Sequence, residues 1–302
     1  MTWLTPDAGE APATRLRALL EGGETLIVPG VFNGLTALLA RRGGAKVLYH
    51  SGAAFSASMG LPDVGLFTLD ELARNCRQVV RVTRLPLIVD ADTGFGSALM
   101  VMRTVRELEG ARCAAIQLED QVDPKRCGHL DGKEVVAVEA MAEKVAAARE
   151  AAQQLVVIAR TDARATHGFD EAVRRGLAYR AAGADVIFPE ALETEEEFGA
   201  YAQEVPGPLL ANMTEFGKGP SISAARLGDL GFRLVIFPVS AARVAAFTVR
   251  GFYEDLLEEG SVERWLERMQ TREELYDLIG YDDYTTLDAG AARPAPDDGG
   301  SR

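Results

Sequence analysis

Cysteine and histidine are scarce in this chain, with three of each among 302 residues. The cysteines, Cys76, Cys113 and Cys127, are too few and too far apart for a disulfide framework, and they indicate a reduced, cytoplasmic protein. No two of them have the spacing of a zinc-binding pair, and three histidines do not supply a histidine-rich metal centre. The sequence therefore argues against a disulfide scaffold and against a zinc site.

Long apolar runs and an excess of basic charge are also missing. No stretch is long enough to span a bilayer, and no charged and then apolar leader follows Met1. The chain has 45 acidic and 32 basic residues, which gives a net charge of −13. A general nucleic-acid or anionic-membrane surface needs basic patches, so we expect neither partner. A local basic pocket for an anionic small molecule remains compatible with this charge.

What the chain does have is a regular alternation of short apolar runs and helical segments. The candidate strands are Thr25–Pro29, Lys46–Ser51, Pro86–Asp90, Cys113–Leu118, Leu155–Ala159, Asp185–Phe188, Pro208–Ala211 and Arg233–Phe237. Their apolar character is continuous, which is typical of parallel strands that are buried on both faces. Eight strand–helix units predict an α/β protein with a (β/α)8 barrel. An open doubly wound sheet is the alternative, weakened because no GxGxxG motif follows the first strand.

Helix signals fill the intervals between these strands and continue after the last one. Thr68 is followed by acidic residues, which is typical of a helix start, and Met141–Ala152 carries an apolar stripe of helical period. Further helical segments are expected near 242–258, 262–269 and 272–279. We predict one barrel domain over residues 1–287, including these helices, and a disordered tail rich in Gly, Pro and Asp over residues 288–302.

Polar residues stand at the C-terminal ends of the predicted strands, where barrels carry their active sites. They are Ser51, Gly52 and Ala53 after the second strand, with Asp63 in its loop, then Asp90 and Asp92, Glu119, Arg160 and Asp162, Glu190, and finally Asn212, Thr214 and Glu215 after the seventh strand. A single polar residue at a strand end is uninformative. Acidic residues at five ends of one barrel mouth, by contrast, predict a shared site.

Asp90 and Asp92 are the strongest metal candidates. Residues two apart on an extended strand point to the same side, so their carboxylates would form an oxygen-rich site. Such a site suits Mg²⁺, with Mn²⁺ as a substitute, and Mg²⁺ usually keeps several waters, which Asp63 and Glu119 would then hold. The alternative is that Asp92 begins a turn before Gly94 and caps the next helix.

Arg160 is the predicted clamp for a substrate carboxylate, because a guanidinium group pairs with a carboxylate through two hydrogen bonds. The alternative is a salt bridge at the barrel mouth to Glu190 or Asp162. Asn212 and Thr214 are expected to hydrogen-bond a second substrate carboxylate, or else to satisfy the start of their own loop.

The run Lys125-Arg126-Cys127-Gly128-His129 lies a few residues beyond the fourth strand. Cationic neighbours lower the pKa of a cysteine thiol, and a histidine beside it supplies an acid–base partner. The glycine lets the backbone bend. The run predicts either a catalytic loop or a solvated basic loop with an incidental cysteine.

Taken together, these motifs resemble the isocitrate lyase/phosphoenolpyruvate mutase superfamily. The resemblance extends from about Val28 to Asp288. It is carried by Ser51-Gly52-Ala53, Leu61-Pro62-Asp63, Val89 to Gly96, Gln117 to Gln121, Lys125 to His129, Ala159 to Asp162, Phe188-Pro189-Glu190, Ala211 to Gly217 and Met269 to Tyr276.

The resemblance implies a (β/α)8 barrel whose last barrel helix is exchanged with a partner subunit, in dimers that pair into a homotetramer. It implies Mg²⁺ near Asp90, Asp92, Asp63 and Glu119. It assigns substrate binding to Ser51, Gly52, Ala53, Asp90, Gly128, Arg160, Glu190, Asn212 and Thr214, and catalysis to Lys125, Arg126, Cys127, His129 and Glu119.

Cys127 indicates the lyase branch, because the mutase, hydrolase and decarboxylase branches generally lack this cysteine. The implied reaction is the Mg²⁺-dependent retro-aldol cleavage of 2-methylisocitrate to pyruvate and succinate, in the methylcitrate cycle of propionate catabolism. Alternatives are a lyase for a related substituted malate or isocitrate, an oxaloacetate decarboxylase or phosphonate-processing enzyme, and a non-catalytic barrel. Ala53 and Lys218-Gly219-Pro220 depart from the family pattern where the substrate's substituent would be accepted.

Overall fold

The computed structural model describes residues 2–5, 9–126, 132–217 and 219–291. Contacts group the chain into two compact units. One is Gly9–Arg250, and the other comprises the described parts of Met1–Ala8 and Gly251–Arg302. The single domain over residues 1–287 therefore stays a prediction.

The Gly9–Arg250 unit contains all eight predicted strands, with ends that differ from the prediction by at most two residues. They are β1 Leu26–Val31, β2 Leu48–His50, β3 Leu87–Asp90, β4 Ala115–Glu119, β5 Val156–Thr161, β6 Val186–Pro189, β7 Leu210–Asn212 and β8 Leu234–Phe237.

The strands form a closed parallel sheet. Their order is β6-β5-β4-β3-β2-β1-β8-β7, and every pairing is parallel. The two outer strands meet through the parallel bridge Ile187↔Leu209, where Ile187 N donates to Pro208 O at 3.2 Å. This closure confirms the (β/α)8 barrel and excludes the open doubly wound sheet.

One helix precedes β1, further helices connect the successive strands on the outside of the barrel, and a last helix follows β8. They are α1 Pro12–Glu21, α2 Gly34–Arg42, α3 Gly52–Ser58, α4 Leu69–Thr83, α5 Ala98–Gly110, α6 Val138–Ala151, α7 Ala163–His167, α8 Phe169–Ala181, α9 Glu195–Glu204, α10 Ala224–Asp229 and α11 Ser240–Glu259. Thr68 caps α4 as predicted, in a reciprocal capping box with Glu71. No helix in the described part of the chain is long and apolar enough to cross a membrane.

The continuous apolar runs are explained by two separate cores. Side chains such as Val28, Ile88 and Ile158 fill the barrel interior together with Leu16 of α1. Their sequence neighbours, such as Val89 and Val157, pack outward against the helices. Except at the exposed Ile27 of β1, the strands are therefore buried on both faces, and their polar residues lie at the ends.

The second unit is helical. It includes the end of α11, a 3₁₀ helix at Glu263–Arg268, α12 Arg272–Ile279 and α13 Tyr281–Ala291. The segment predicted near 262–269 is thus helical, but with 3₁₀ geometry. Helix α13 runs past Asp288, where the sequence predicted a disordered tail, so residues 288–291 are helical, and residues 292–302 lie outside the described part.

Candidate active site

A pocket of about 480 Å³, including the space at its open mouth, lies at the C-terminal ends of the strands. It is lined by Tyr49, Ser51, Ala53, Asp63, Asp90, Glu119, Lys125, Arg126, Arg160, Phe188, Glu190, Asn212, Thr214, Ile236, Pro238 and Val239. Of the predicted site residues that the structure describes, Gly52 and Asp92 do not line it, and both bond to Asp90 through their backbone N–H groups. Cys127, Gly128 and His129 lie outside the described residues.

Asp90, at the end of β3, is held by hydrogen bonds to both carboxylate oxygens. Oδ2 accepts from Gly52 N at 3.2 Å, and Oδ1 accepts from Asp92 N at 3.3 Å and from Gln117 Nε2 at 3.1 Å. A Cβ atom at position 52 would lie 3.1 Å from Asp90 Oδ2, so glycine allows this close approach. Gln117 is in turn bonded to the Tyr49 hydroxyl, which fixes the orientation of its amide.

Asp92 is buried in the turn that follows β3. Its φ is 49°, and Gly94 N closes the turn by donating to Ala91 O at 2.9 Å. Asp92 does begin a turn, but α5 starts later, after Ser97, so it does not cap that helix. Burial raises the pKa of Asp92 to about 7, although Lys125 opposes the rise.

The ammonium group of Lys125 lies among these carboxylates. It forms ion pairs with Asp63 and, at 2.9 Å, with Asp92 Oδ1. Burial alone would lower the pKa of Lys125, but Asp92, Glu119 and Asp63 outweigh burial and raise it. The neighbouring backbone is fixed as well, because Arg126 N and O both bond to the side-chain amide of Gln121 at 2.9 Å.

Glu119 is buried at the end of β4. Its Oε2 lies 3.4 Å from Arg160 Nη1, and its Oε1 has no hydrogen-bond partner among the described residues. Burial raises the pKa of Glu119 against the opposing charges of Arg160 and Lys125.

Arg160, on β5, forms the predicted alternative salt bridge. Its Nε and Nη2 donate to the two oxygens of Asp162 at 2.9 and 3.0 Å, and its Nε lies 3.6 Å from Glu190 Oε2. The guanidinium also lies over the Phe188 ring, 5.2 Å from its centroid. Asp162 occupies the edge formed by Nε and Nη2, while Nη1 lies 3.4 Å from Glu119 Oε2. Because each terminal nitrogen of the guanidinium carries two N–H donors, Nη1 retains capacity for a further carboxylate.

Asn212 and Thr214 complete the far side of the pocket. Asn212 Nδ2 donates to the Glu190 carboxylate at 3.2 Å, while Asn212 Oδ1 is buried without a partner among the described residues. Thr214 Oγ1 accepts a 3.4 Å hydrogen bond from Arg243. Ser51 caps α3 by accepting from Ala54 N at 3.2 Å.

The carboxylate oxygens of the described pocket residues are the kind of ligand that a hard cation prefers, but they do not converge on one point. Among the described residues, no three carboxylate, imidazole or thiol groups converge at metal-binding distances. The oxygens of Asp90 and Asp92 and the unpartnered Glu119 Oε1 nevertheless match an ion that takes one or two carboxylates directly and keeps waters for the rest.

Sequence reasoning missed three residues that shape this site: Tyr49, Gln117 and Lys133. Tyr49 stands two residues before Ser51, and Gln117 two before Glu119, so strand alternation points each toward the same side as its partner. Lys133 binds Asp162 across 29 residues of chain, and no local pattern indicates that contact.

The structure thus defines a (β/α)8 barrel with a pocket of carboxylates and cations at the C-terminal ends of its strands. The family profile described as phosphoenolpyruvate phosphomutase matches residues 16–257. The chain is 48% identical over 295 residues to the 2-methylisocitrate lyase of Bacillus subtilis (strain 168), covering 97% of this chain and 98% of the relative.

Solved structures agree with this match. A crystal structure of 2,3-dimethylmalate lyase superposes with a TM-score of 0.89 and 39% identity, covering 97% of this chain and 99% of that one. Phosphonopyruvate hydrolase in complex with oxalate and Mg²⁺ has a TM-score of 0.85 and 31% identity, covering 94% and 100%. The chain belongs to the phosphoenolpyruvate mutase/isocitrate lyase family of enzymes and groups with its carbon–carbon lyases, which confirms the resemblance in the sequence.

Proposed function

We propose that this enzyme cleaves 2-methylisocitrate to pyruvate and succinate in propionate catabolism. The observation that carries the proposal is the pocket itself, in which Arg160 and Lys125 face the carboxylates of Asp90 and Glu119. A small molecule with several carboxylates complements such cations. The near full-length identity to a relative named for this substrate supports the choice.

We propose Mg²⁺ as the cofactor, with Mn²⁺ as a substitute. Asp90 and Asp92 would hold it directly, and Asp63 and Glu119 would hold its waters. When bound, the ion would stabilise negative charge on the oxygens of the pyruvate half. The oxygen donors of the site support the proposal, as does the Mg²⁺ in the complex of a structural relative.

The other residues would bind and orient the substrate. Arg160 Nη1 would bind one substrate carboxylate, and Asn212 and Thr214 would hydrogen-bond a second. The remaining predicted contacts are Ser51, Gly52, Ala53, Asp90, Gly128 and Glu190. Phe188, Ile236 and Pro238 form an apolar wall that would exclude water from the cleaved bond.

The cleavage needs one group that accepts a proton and one that donates a proton. As the carbon–carbon bond breaks, its electron pair leaves with the succinate half and the hydroxyl of the pyruvate half becomes a carbonyl. Glu119 Oε1 is the acceptor we propose for the hydroxyl proton, because it is buried, unpartnered among the described residues and raised in pKa.

The thiol of Cys127 would give its proton to the succinate carbanion, and Lys125, Arg126 and His129 would favour the thiolate that remains. Because Cys127, Gly128 and His129 lie outside the described residues, these roles rest on the family resemblance.

A substrate panel tests the proposal. We expect kcat/KM for 2-methylisocitrate to exceed the values for isocitrate, 2,3-dimethylmalate and oxaloacetate. A preference for 2,3-dimethylmalate would favour the second candidate, a lyase for that substrate, which the structural match to 2,3-dimethylmalate lyase supports. Full activity of Cys127→Ser on oxaloacetate or a phosphonate would instead favour the decarboxylase or phosphonate-processing alternative.

We also propose that the enzyme is cytoplasmic and that it forms a homotetramer. The tetramer would consist of two dimers, and the two subunits of each dimer would exchange α11. Helix α11 has no buried residue, and its Phe247 is 71% exposed. On the barrel wall, Ile27 of β1 is 59% exposed although strands of such a barrel are normally covered by helices. An exchanged helix would cover both apolar surfaces. The buried, free thiols of Cys76 and Cys113 suit a reducing compartment.

A further inference from the structure

Lys133 is a buried lysine that the proposed mechanism does not use. Its side chain is 1% exposed, and its Nζ lies 2.9 Å from Asp162 Oδ1, whose side chain is fully buried. The chain around Lys133 is hydrogen-bonded to the residues that directly follow β4. Gln121 and Val135 form an antiparallel bridge, and Val136 N donates to Asp120 O at 2.8 Å.

Asp162 is shared between Lys133 and the proposed substrate clamp. Its Oδ1 accepts from Lys133 and also from Arg160 Nη2 at 3.0 Å, while its Oδ2 accepts from Arg160 Nε at 2.9 Å. The sharing means that Lys133 neutralises part of the charge that holds Arg160.

Asp162 is itself held in position by Asp120, which directly follows β4. Its backbone N–H donates to Asp120 Oδ1 at 2.9 Å. Asp120 Oδ2 accepts from Thr161, Arg175 and Tyr179 at 2.7 to 2.9 Å, so the carboxylate of Asp120 is fully occupied. These hydrogen bonds hold the segment that carries Asp162 in place.

Removal of Lys133 would change how tightly Arg160 is held. Asp162 Oδ1 would then interact with Arg160 alone, and buried charge pairs strengthen when a competing charge is removed. The guanidinium would be drawn toward Asp162, and its Nη1 would be held further from a substrate carboxylate in the pocket.

We propose that Lys133 is a positioning residue for substrate binding: by sharing Asp162, it sets the orientation and availability of the Arg160 guanidinium. The inference rests on the proposed function of Arg160 as the carboxylate clamp. Lys133, which follows the Cys127 segment in the chain, would thus be a further determinant of substrate affinity.

Titration calorimetry with oxalate in the presence of Mg²⁺ tests the proposal, together with steady-state kinetics on 2-methylisocitrate. We expect Lys133→Met to weaken oxalate binding by about tenfold, the scale of one charge-assisted hydrogen bond. KM should rise in parallel, while kcat changes much less. Lys133→Arg, which keeps the charge, should restore the affinity.

Arg149→Met is the matched control. Arg149 Nη1 and Arg17 Nη1 share the Asp185 carboxylate at 3.2 and 2.8 Å, just before β6 begins and so at the other end of the strands. This variant removes one of two cations from a carboxylate, as Lys133→Met does, and should lower the melting temperature without changing oxalate affinity.

Two outcomes would overturn the proposal, and they are distinguishable. If Arg160→Met weakens oxalate binding but Lys133→Met does not, the role of Lys133 is wrong and the clamp stands. If Arg160→Met leaves oxalate affinity unchanged, the clamp itself is wrong. Should Lys133→Met fail to fold, Lys133→Gln keeps a hydrogen-bond donor without the charge, and the same loss of affinity is expected.

Discussion

Buried carboxylates outnumber buried cations around the pocket. The carboxylates are Asp90, Asp92, Glu119, Asp162 and Glu190, and the cations are Lys125, Lys133 and Arg160. Each buried charge needs a partner of opposite sign. When carboxylates are in excess, the carboxyl groups without such a partner cost more free energy to ionise. At the scale of single residues, the site is therefore built to gain a further positive charge.

Because of Asp92, the affinity of the site for Mg²⁺ should depend on pH. Its pKa is raised to about 7 in the metal-free protein, so the carboxyl is mostly protonated below that pH and a poor ligand. A cation and this proton should compete. We expect Mg²⁺ affinity, measured by titration calorimetry, to increase as the pH rises from about 6 to about 8.

Asp92→Asn is the control for this prediction, because an amide has no proton to lose in that range. The variant should bind Mg²⁺ more weakly and with little change between the two pH values. An affinity of the unsubstituted enzyme that is flat across the same range would contradict the assignment of Asp92 as a ligand.

At the scale of elements, the neighbouring strands β1 and β8 approach each other closely at the barrel mouth. A Cβ atom at Gly30 of β1 would lie 2.1 Å from the carbonyl oxygen of Pro238, which directly follows β8 and lines the pocket. The backbone atoms of Pro238 cannot move away from an added Cβ as easily as a flexible side chain could. We expect Gly30→Ala to lower the free energy of unfolding in urea by about 3 kcal/mol.

Gly110→Ala, at the end of α5, is the matched substitution. No atom lies within 4 Å of the Cβ position there. The change should therefore raise stability by about 0.5–1 kcal/mol, because alanine loses less conformational entropy in a helix. Equal effects of the two substitutions would show that the β1–β8 contact is looser than described.

Most elements of the barrel could be predicted because each strand leaves a continuous apolar run bounded by polar residues. The exceptions are informative. The segment Asp288-Ala-Gly-Ala was assigned to a tail because of the Gly, Pro and Asp residues beyond it, yet alanine is the best helix former and α13 continues to Ala291. At the barrel mouth, strand ends identified Asp90, Glu119 and Arg160.

The contacts of these site residues could not be read from the sequence. Which edge of Arg160 is occupied depends on Asp162 and on Lys133, and the Lys133–Asp162 pair is separated by 29 residues. Such pairs are set by tertiary packing, which leaves no periodic signal in the chain.

The assembly provides a test at the scale of the whole molecule. Val244 and Phe247 of α11 are 67% and 71% exposed, and no residue of this 20-residue helix is buried. An apolar helix face of this kind marks an interface. If the proposed homotetramer forms through α11, Phe247→Asp should convert it to smaller species, as measured by size-exclusion chromatography with light scattering.

Leu99→Asp, on α5, is the control because Leu99 is 75% exposed and belongs neither to α11 nor to β1, the elements on which the proposed exchange rests. It should leave the mass of the assembly unchanged. A Phe247→Asp protein that stays tetrameric would contradict the exchange of α11.

In the reaction that we propose, one carbon–carbon bond of 2-methylisocitrate breaks and an exchangeable group of the enzyme protonates the succinate half. NMR analysis of the products formed in D₂O with Mg²⁺ tests this reaction. We expect pyruvate and succinate in equal amounts, with one deuterium per succinate, no turnover without a divalent cation, and loss of most activity in Cys127→Ser. Undeuterated succinate, unequal products, or full activity of Cys127→Ser would contradict it.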